Sequence, residues 1–261
     1  MHRTHLPVLA LTALLSACVS DLPRSDAPWR IEQEVISSWQ TRNDVRIPND
    51  EGTRFALDEL VGSGPEFNRR TTVEVDLDGR NGLRLVVAPL EFDGSGQFDE
   101  PVEFQGETFA AGRDTAGRYR FDTYRLTWRY LMDESETYSW QLGATLLVRD
   151  AEIGLRQERG PDDELDQGPL RAKDDNVGLV PLLHAAAEQR FASDWSLVGV
   201  LDAAVASQGR AIEGSLALRY DAGENWDVSL GYRILEGGAD NDTVYSFATI
   251  HTVFFGVAAS F

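Results

Sequence analysis

Val253, Phe255, Val257, Ala259 and Phe261 alternate with Phe254, Gly256, Ala258 and Ser260. A period of two is the mark of a β-strand, whose successive side chains point to opposite faces. One file of this segment is wholly apolar and the other is mostly small or polar, so the segment asks for an apolar surrounding on one side only. The same half-apolar pattern recurs through Trp29 to Thr41, Arg70 to Leu77, Leu83 to Leu90, Arg118 to Leu131, Tyr138 to Arg156, Val177 to Arg190, Trp195 to Ala206, Ala211 to Tyr220, Trp226 to Leu235 and Thr243 to Phe261. Turn residues such as Asp78-Gly79-Arg80-Asn81-Gly82 separate the segments. The pattern predicts an all-β fold, an antiparallel up-and-down barrel of about ten strands within a range of about eight to twelve.

The connections alternate in length. Those after the second, fourth, sixth and eighth segments are short, whereas Asn43 to Arg69, Glu91 to Gly117 and Gln157 to Asn176 are long and rich in Gly, Asp and Glu. Such alternation is expected of a barrel that crosses a membrane. If the short turns share a rim, then Trp29, Tyr130, Tyr138, Trp140, Phe191, Trp195, Tyr220, Trp226 and Phe261 all fall at that rim, with Trp39, Tyr124, Tyr245 and Phe247 toward the other. Aromatic rings favour a membrane interface, where an apolar body and a polar tip are both satisfied. In Tyr124 to Tyr130 the file Tyr124, Leu126, Trp128, Tyr130 alternates with Arg125, Thr127, Arg129, while Arg219, Ser229 and Arg233 lie on polar files further on. Glu32, Glu34, Glu74, Asp76, Glu152, Glu188 and Asp202 fall on polar files elsewhere. In a narrow barrel these charges are expected to pair and plug the interior, because isolated charges away from water are costly.

The segment ending on Phe261 resembles the C-terminal strand of bacterial outer-membrane β-barrels, which the barrel-assembly machinery reads during insertion. The other end agrees: Arg3 and two histidines precede the apolar run Leu6 to Leu15, then Leu15-Ser16-Ala17-Cys18. This is the layout of an export signal, too short to span a bilayer as a helix of about 20 apolar residues. Leu-Ser-Ala-Cys resembles the lipobox of bacterial lipoproteins, which implies a signal peptide over 1–17, lipid attachment at Cys18, a tether over 18–28 and a barrel over 29–261. An ordinary secretory signal with a cysteine beside its cleavage site is the alternative. Cys18 is the only cysteine, so an internal disulfide is ruled out. The resemblance implies the outer membrane of a Gram-negative bacterium, both chain ends periplasmic, with outer-membrane lipid and lipopolysaccharide as surroundings. Arg42 to Pro48 and Glu236 to Asp242 are also similar to stretches of proteobacterial outer-membrane barrels to which no activity attaches. A periplasmic, lipocalin-like lipid-binding lipoprotein is the rival architecture, with its apolar face turned inward.

Removing the signal takes one basic residue, Arg3, so the net charge moves from −19 to about −20. That disfavours nucleic acid, whose binding is dominated by basic contacts to phosphate. Outer-membrane barrels include lipid A deacylases, palmitoyltransferases and omptin-like proteases, so histidine chemistry has to be weighed. His184 shares a strand face with Glu188 at too great a distance for a direct bond, and a partner such as Asp202 or Ser196 has to come from a neighbouring strand. The ordinary reading is a luminal histidine in a polar network, with a lipid A deacylase-like hydrolase at the membrane rim as the alternative. His251 belongs to an outward file. Pro161 to Asp166 and Glu236 to Asp242, with Asp240 and Asp242, offer oxygen ligands but not the EF-hand spacing. They read as solvated acidic loops, the second as a hairpin with Gly and Asn at positive φ. Gly62-Ser63-Gly64 and Gly94-Ser95-Gly96 lead into no lysine-bearing helix, so phosphate-loop chemistry is unsupported. Pro101 to Phe109 is expected to form an extra hairpin over the mouth. The residues call for no cofactor and no activated nucleophile. The expected role is structural, surface interaction or a narrow channel.

Overall fold

The computed structural model describes residues 28–160 and 168–261. The export signal, Cys18, the tether as far as residue 27 and the acidic stretch Pro161 to Asp166 lie outside the described residues. In chain order the elements are β1 (Trp29–Arg46), β2 (Phe55–Ala56), α1 (Leu57–Val61), β3 (Glu66–Asp76), β4 (Asn81–Ala88), β5 (Glu91–Gln97), β6 (Val102–Phe104) and β7 (Glu107–Phe109). They continue with β8 (Asp114–Glu134), β9 (Tyr138–Gln157), β10 (Leu170–Ala192), β11 (Trp195–Ala206), β12 (Gly209–Asp221), β13 (Trp226–Asp240) and β14 (Tyr245–Ser260). The order around the wall is β1, β3, β4, β8 to β14, and β14 pairs back to β1 from Ser260↔Arg30 to Tyr245↔Arg46. This closes an antiparallel barrel of ten strands, the number expected from the periodicity. Closure removes the edges that an open sheet would leave unpaired in lipid.

The strands reach further than the apolar files suggest. β5 prolongs β4 beyond Pro89 along the same strand β8, so Glu91 to Gln97 is wall rather than loop. Likewise β10 begins at Leu170, β13 runs to Asp240, and β1 continues to Arg46 past a bulge between Gln40 and Arg42. The long connections are therefore shorter than predicted. In these extensions the outward file turns charged, with Arg118, Arg120, Asp150, Glu152 and Lys173, because the wall has risen above its apolar belt. Glu152 is accordingly not luminal: it faces outward and meets Arg120 and Lys173.

Below that level the outside is apolar. Leu183 is 76% exposed, Leu179 67% and Leu230 57%, a degree of exposure that requires lipid rather than water. Trp29, Tyr138, Trp140, Phe191, Trp195, Tyr220 and Trp226 line the short-turn rim, all of them exposed. Phe261 joins them, exchanging backbone hydrogen bonds with Trp29 at 3.1 and 2.9 Å. Both described ends of the chain thus meet at one rim. The lipocalin-like alternative would turn Leu126 and Trp128 inward, and instead Arg125 and Thr127 are the buried file.

At the other rim, loops fold into the mouth. Leu57, Leu60 and Val61 of α1 are buried with Phe55, Phe98, Val102, Phe104 and Phe109 in one apolar cluster. The predicted extra hairpin is β6 and β7, turned at Gln105 and Gly106 with φ of 51° and 77°. Phe55 meets Phe98 and Phe104 edge-on at 5.4 and 6.0 Å. Gly94 and Gly117 seat the helix: a Cβ on Gly94 would lie 2.1 Å from the Val61 carbonyl oxygen, and one on Gly117 would lie 2.5 Å from Val61 Cγ1. Gly94-Ser95-Gly96 is thus a platform in strand β5. The Glu236 to Asp242 hairpin also differs from expectation, since Gly237 and Gly238 do not take positive φ. Gly238 is needed for space instead, because a Cβ there would lie 2.3 Å from both Phe247 and the Ser246 carbonyl.

Candidate functional site

Alternation along the strands sends one polar file of each into the barrel, and the files meet at mid-height. Arg125, 1% exposed, donates to both carboxylate oxygens of Glu213 at 2.7 and 2.6 Å and reaches Asp202 at 3.3 Å. Glu213 also takes Arg70 at 3.0 Å and lies 3.7 Å from Arg233. Arg233 in turn donates to Glu34 at 2.9 Å and stacks over Phe254 at 4.4 Å. Glu213 is shared by three guanidiniums, while Glu34 holds Arg233 and Asp202 holds Arg125, so the charges at mid-height are paired across the barrel.

Toward the short-turn rim the pairing continues. Glu74 holds Arg84 and Arg129, both at 3.3 Å, and Arg219 joins Glu188 at 2.8 Å and Asp227 at 3.6 Å. Arg30 donates to Asp227 and Glu32 at 2.8 and 3.0 Å. The lumen therefore has two tiers, a charge network below and the apolar cluster of the mouth above.

His184 and Asp202 are cross-strand partners on β10 and β11, and His184 Nδ1 lies 2.8 Å from Asp202 Oδ1. Asp202 also accepts from Thr145 at 2.9 Å. Glu188, on the same file as His184, is engaged by Arg219 instead. His184 borders a cavity of about 140 Å³ among Glu34, Arg84, Ser215 and Arg233. Ser196 forms no hydrogen bond to His184 among the described residues and pairs across the ladder with Arg190. His251 is outward, stacked on Trp39 at 5.9 Å and bonded to Thr41 and Tyr232. Neither histidine thus joins a serine in a nucleophile–base pair among the described hydrogen bonds.

Asp240 ends β13 and accepts from Asn49 at 3.0 Å, while Asp242 sits in the following turn. Among the described residues no three His, Cys, Asp or Glu side chains are placed to hold a metal ion. Glu213, Arg70 and Arg84 were not singled out from the sequence. Leu216, Leu218 and Tyr220 form the outward file of β12, and Glu213, three residues before Leu216, falls on the opposite, luminal file.

No protein-family model matches the chain, and no curated protein matches it in sequence. Among solved structures, the outer-membrane protease OmpT from Escherichia coli superposes with a TM-score of 0.56 at 9% identity, over 94% of this chain and 99% of that one. The attachment invasion locus protein Ail of Yersinia pestis gives 0.39 at 9% identity, over 89% and 99% of the two chains. Neisserial surface protein A gives 0.38 at 13% identity, over 89% and 97%. At these identities what is shared with OmpT is the fold, and the fold of this chain is that of an outer-membrane β-barrel.

Proposed function

We propose that the chain is a closed barrel of the Gram-negative outer membrane, with a structural or surface-interaction role rather than a transport one. The observation that carries this reading is the Arg125–Glu213 pair at the centre of the lumen, backed by Arg70, Arg233 and Asp202 and capped by α1 and the β6–β7 hairpin. A narrow channel would need a file of unpaired polar groups along its length, and the charges at mid-height and toward the short-turn rim are cross-paired. The hydrolase alternative has less support, because His184 and Asp202 are 3% and 1% exposed inside the network and His251 is bonded to the hydroxyls of Thr41 and Tyr232 and stacked on Trp39.

In this reading the long-loop rim faces outward from the cell and the short-turn rim, with Trp29 and Phe261, faces the periplasm, where an acylated Cys18 would sit. Support comes from the outward charged band over the apolar belt, where Arg120 lies between Asp122 and Asp150 at 3.2 and 3.0 Å, suited to the phosphates and cations of lipopolysaccharide. Phe261 and its alternating file serve the barrel-assembly machinery. The test is an epitope inserted at Gln105-Gly106 or at Gly79-Arg80 in the full chain. Antibody should label the first on intact cells and the second only after permeabilisation; the reverse pattern, or labelling of neither in whole membranes, overturns the assignment.

A further inference from the structure

A second cavity, of about 350 Å³, lies inside the barrel beside the apolar cluster of the mouth. This is within the range of small-molecule sites. One wall is made of small side chains, Ala204, Ala206, Ala211, Gly237, Ala239 and Ala248, and the facing wall carries Leu147, Val180, Tyr119 and Phe121. The space therefore exists because one sector of the wall has been stripped of bulk at successive inward positions.

One charge stands out within it. Arg149, on the inward file of β9, donates to Asn176 at 2.9 Å and forms no ion pair among the described residues. Its Nε is buried with no hydrogen-bond partner there. The other charged groups at the edges are engaged: Glu152 by Arg120 and Lys173, Arg210 by Glu236, and Asp174 by the Gln105 amide. Asp174 acts on Arg149 through space but is in no ion pair with it among the described residues. A guanidinium that no carboxylate contacts, in a pocket lined largely by small and apolar side chains, suits an anionic head on an apolar tail.

The wall beside this cavity is incomplete. The ladder between β10 and β11 stops at Leu183↔Ala203, although β10 runs on to Leu170 and β11 to Ala206. Pro181 accounts for it. The ladder to β9 passes unbroken through Pro181↔Leu146, so the hydrogen bond that proline cannot donate belongs to the β11 side. Val180 on one lip and Ala204 and Ala206 on the other border the cavity, and the outer faces of the lips are Leu179, Leu183 and Val205, 67%, 76% and 76% exposed. An unpaired strand edge at membrane depth is tolerated where it lines a cavity. Arg149 lies one residue above Val148, the last apolar residue of the outward file of β9 before Asp150, and so at headgroup level.

We propose that this cavity binds a single-chain amphiphile with an anionic head, a long-chain carboxylate, with the head at Arg149 and entry from the bilayer between β10 and β11. The inference needs only that the belt sits in a membrane, and it stands apart from the surface role and orientation proposed above.

The test is photo-crosslinking of the full chain in phosphatidylcholine nanodiscs with palmitic acid bearing a tail diazirine, followed by mapping of the adducts. Luminal adducts are expected around Tyr119, Phe121 and Val180, besides background on lipid-facing Leu216 and Phe255. Arg149→Gln should lower the luminal yield about tenfold for the acid and leave it unchanged for the corresponding diazirine alcohol. Ala211→Trp, which fills the cavity, should remove luminal adducts while the lipid-facing background, the internal check on folding, stays. Pro181→Ile should slow luminal labelling by probe already dissolved in the bilayer; an unchanged rate would refute sideways entry. Adducts confined to lipid-facing residues, or luminal adducts indifferent to both Arg149→Gln and Ala211→Trp, would overturn the site.

Discussion

Glu213→Gln is the most informative single substitution in the lumen, because it keeps shape and removes one charge that several cations share. In the folded chain Glu213 takes two hydrogen bonds from Arg125, at 2.7 and 2.6 Å, and one from Arg70 at 3.0 Å, with Arg233 at 3.7 Å. Breaking a buried pair by removing one partner costs about 3–5 kcal/mol. Three guanidiniums would remain with only Glu34 and Asp202 at the centre, so a loss near the upper end, about 5 kcal/mol, is expected. Arg125→Met should cost less, because Glu213 keeps Arg70 and Arg233, and Asp202 keeps His184 and Thr145. The double variant should lose less than the sum, with a coupling of about 0.5–3 kcal/mol. Urea unfolding of the chain refolded into phosphatidylcholine vesicles, followed by tryptophan emission, gives these differences. Losses below about 1 kcal/mol for Glu213→Gln, or a larger loss for Arg125→Met, would refute the claim that this carboxylate organises the lumen.

The seat of α1 gives a second prediction: Gly117→Leu must displace Val61 and should destabilise by about 1–3 kcal/mol, seen as a lower urea midpoint and easier proteolysis of the long-loop rim. Leu60→Ala in the same cluster should cost about 2–5 kcal/mol while leaving the Arg125–Glu213 coupling energy unchanged. Above the apolar belt, burial, followed by the hydrogen bond and charge of Glu91, pushes the Asp93 carboxyl up to about 6. Its contribution to stability is therefore fully present below its ordinary value of 3.8 and is lost as pH rises through about 6. Asp93→Asn should flatten the urea midpoint between those values, and an unchanged pH profile would count against the pairing with Glu91. In the short turn, hydrogen bonds from Asn81 and Arg80 hold Asp78 below the usual carboxylate range, so Asp78→Ala should raise amide exchange in Gly79 to Asn81.

The ten strands were legible because lipid outside and charge inside impose a period of two on every membrane-crossing segment. Their upper ends were not, for the same reason reversed. Once the wall leaves the belt, outward positions such as Arg118, Arg120, Asp150 and Asp175 turn polar, and a strand there has the composition of a loop. That is why the apolar file of β10 begins only at Val177 when the strand begins at Leu170, and why Gly94-Ser95-Gly96 has the composition of a loop although it is a platform for Val61. The polar lumen was readable as a class of residues, but not as a set of partners. Asp202 is a neighbour that the sequence offers to His184, whereas the three guanidiniums around Glu213 follow only from the register of β12 against β11 and of the strands across the lumen. The uncovered Arg149 depends on three strands at once, and no pattern along one strand reveals it.

The central claim is that the lumen is closed. The measurement that addresses it most directly is the conductance of the refolded full chain in a planar bilayer, alongside a variant carrying Gly117→Leu and Glu213→Gln, which disturbs both tiers. The parent should show no unitary conductance steps and the double variant should show them. Steady open-state conductance in the parent would mean that the Arg125–Glu213 network and the loops of the mouth do not seal the barrel.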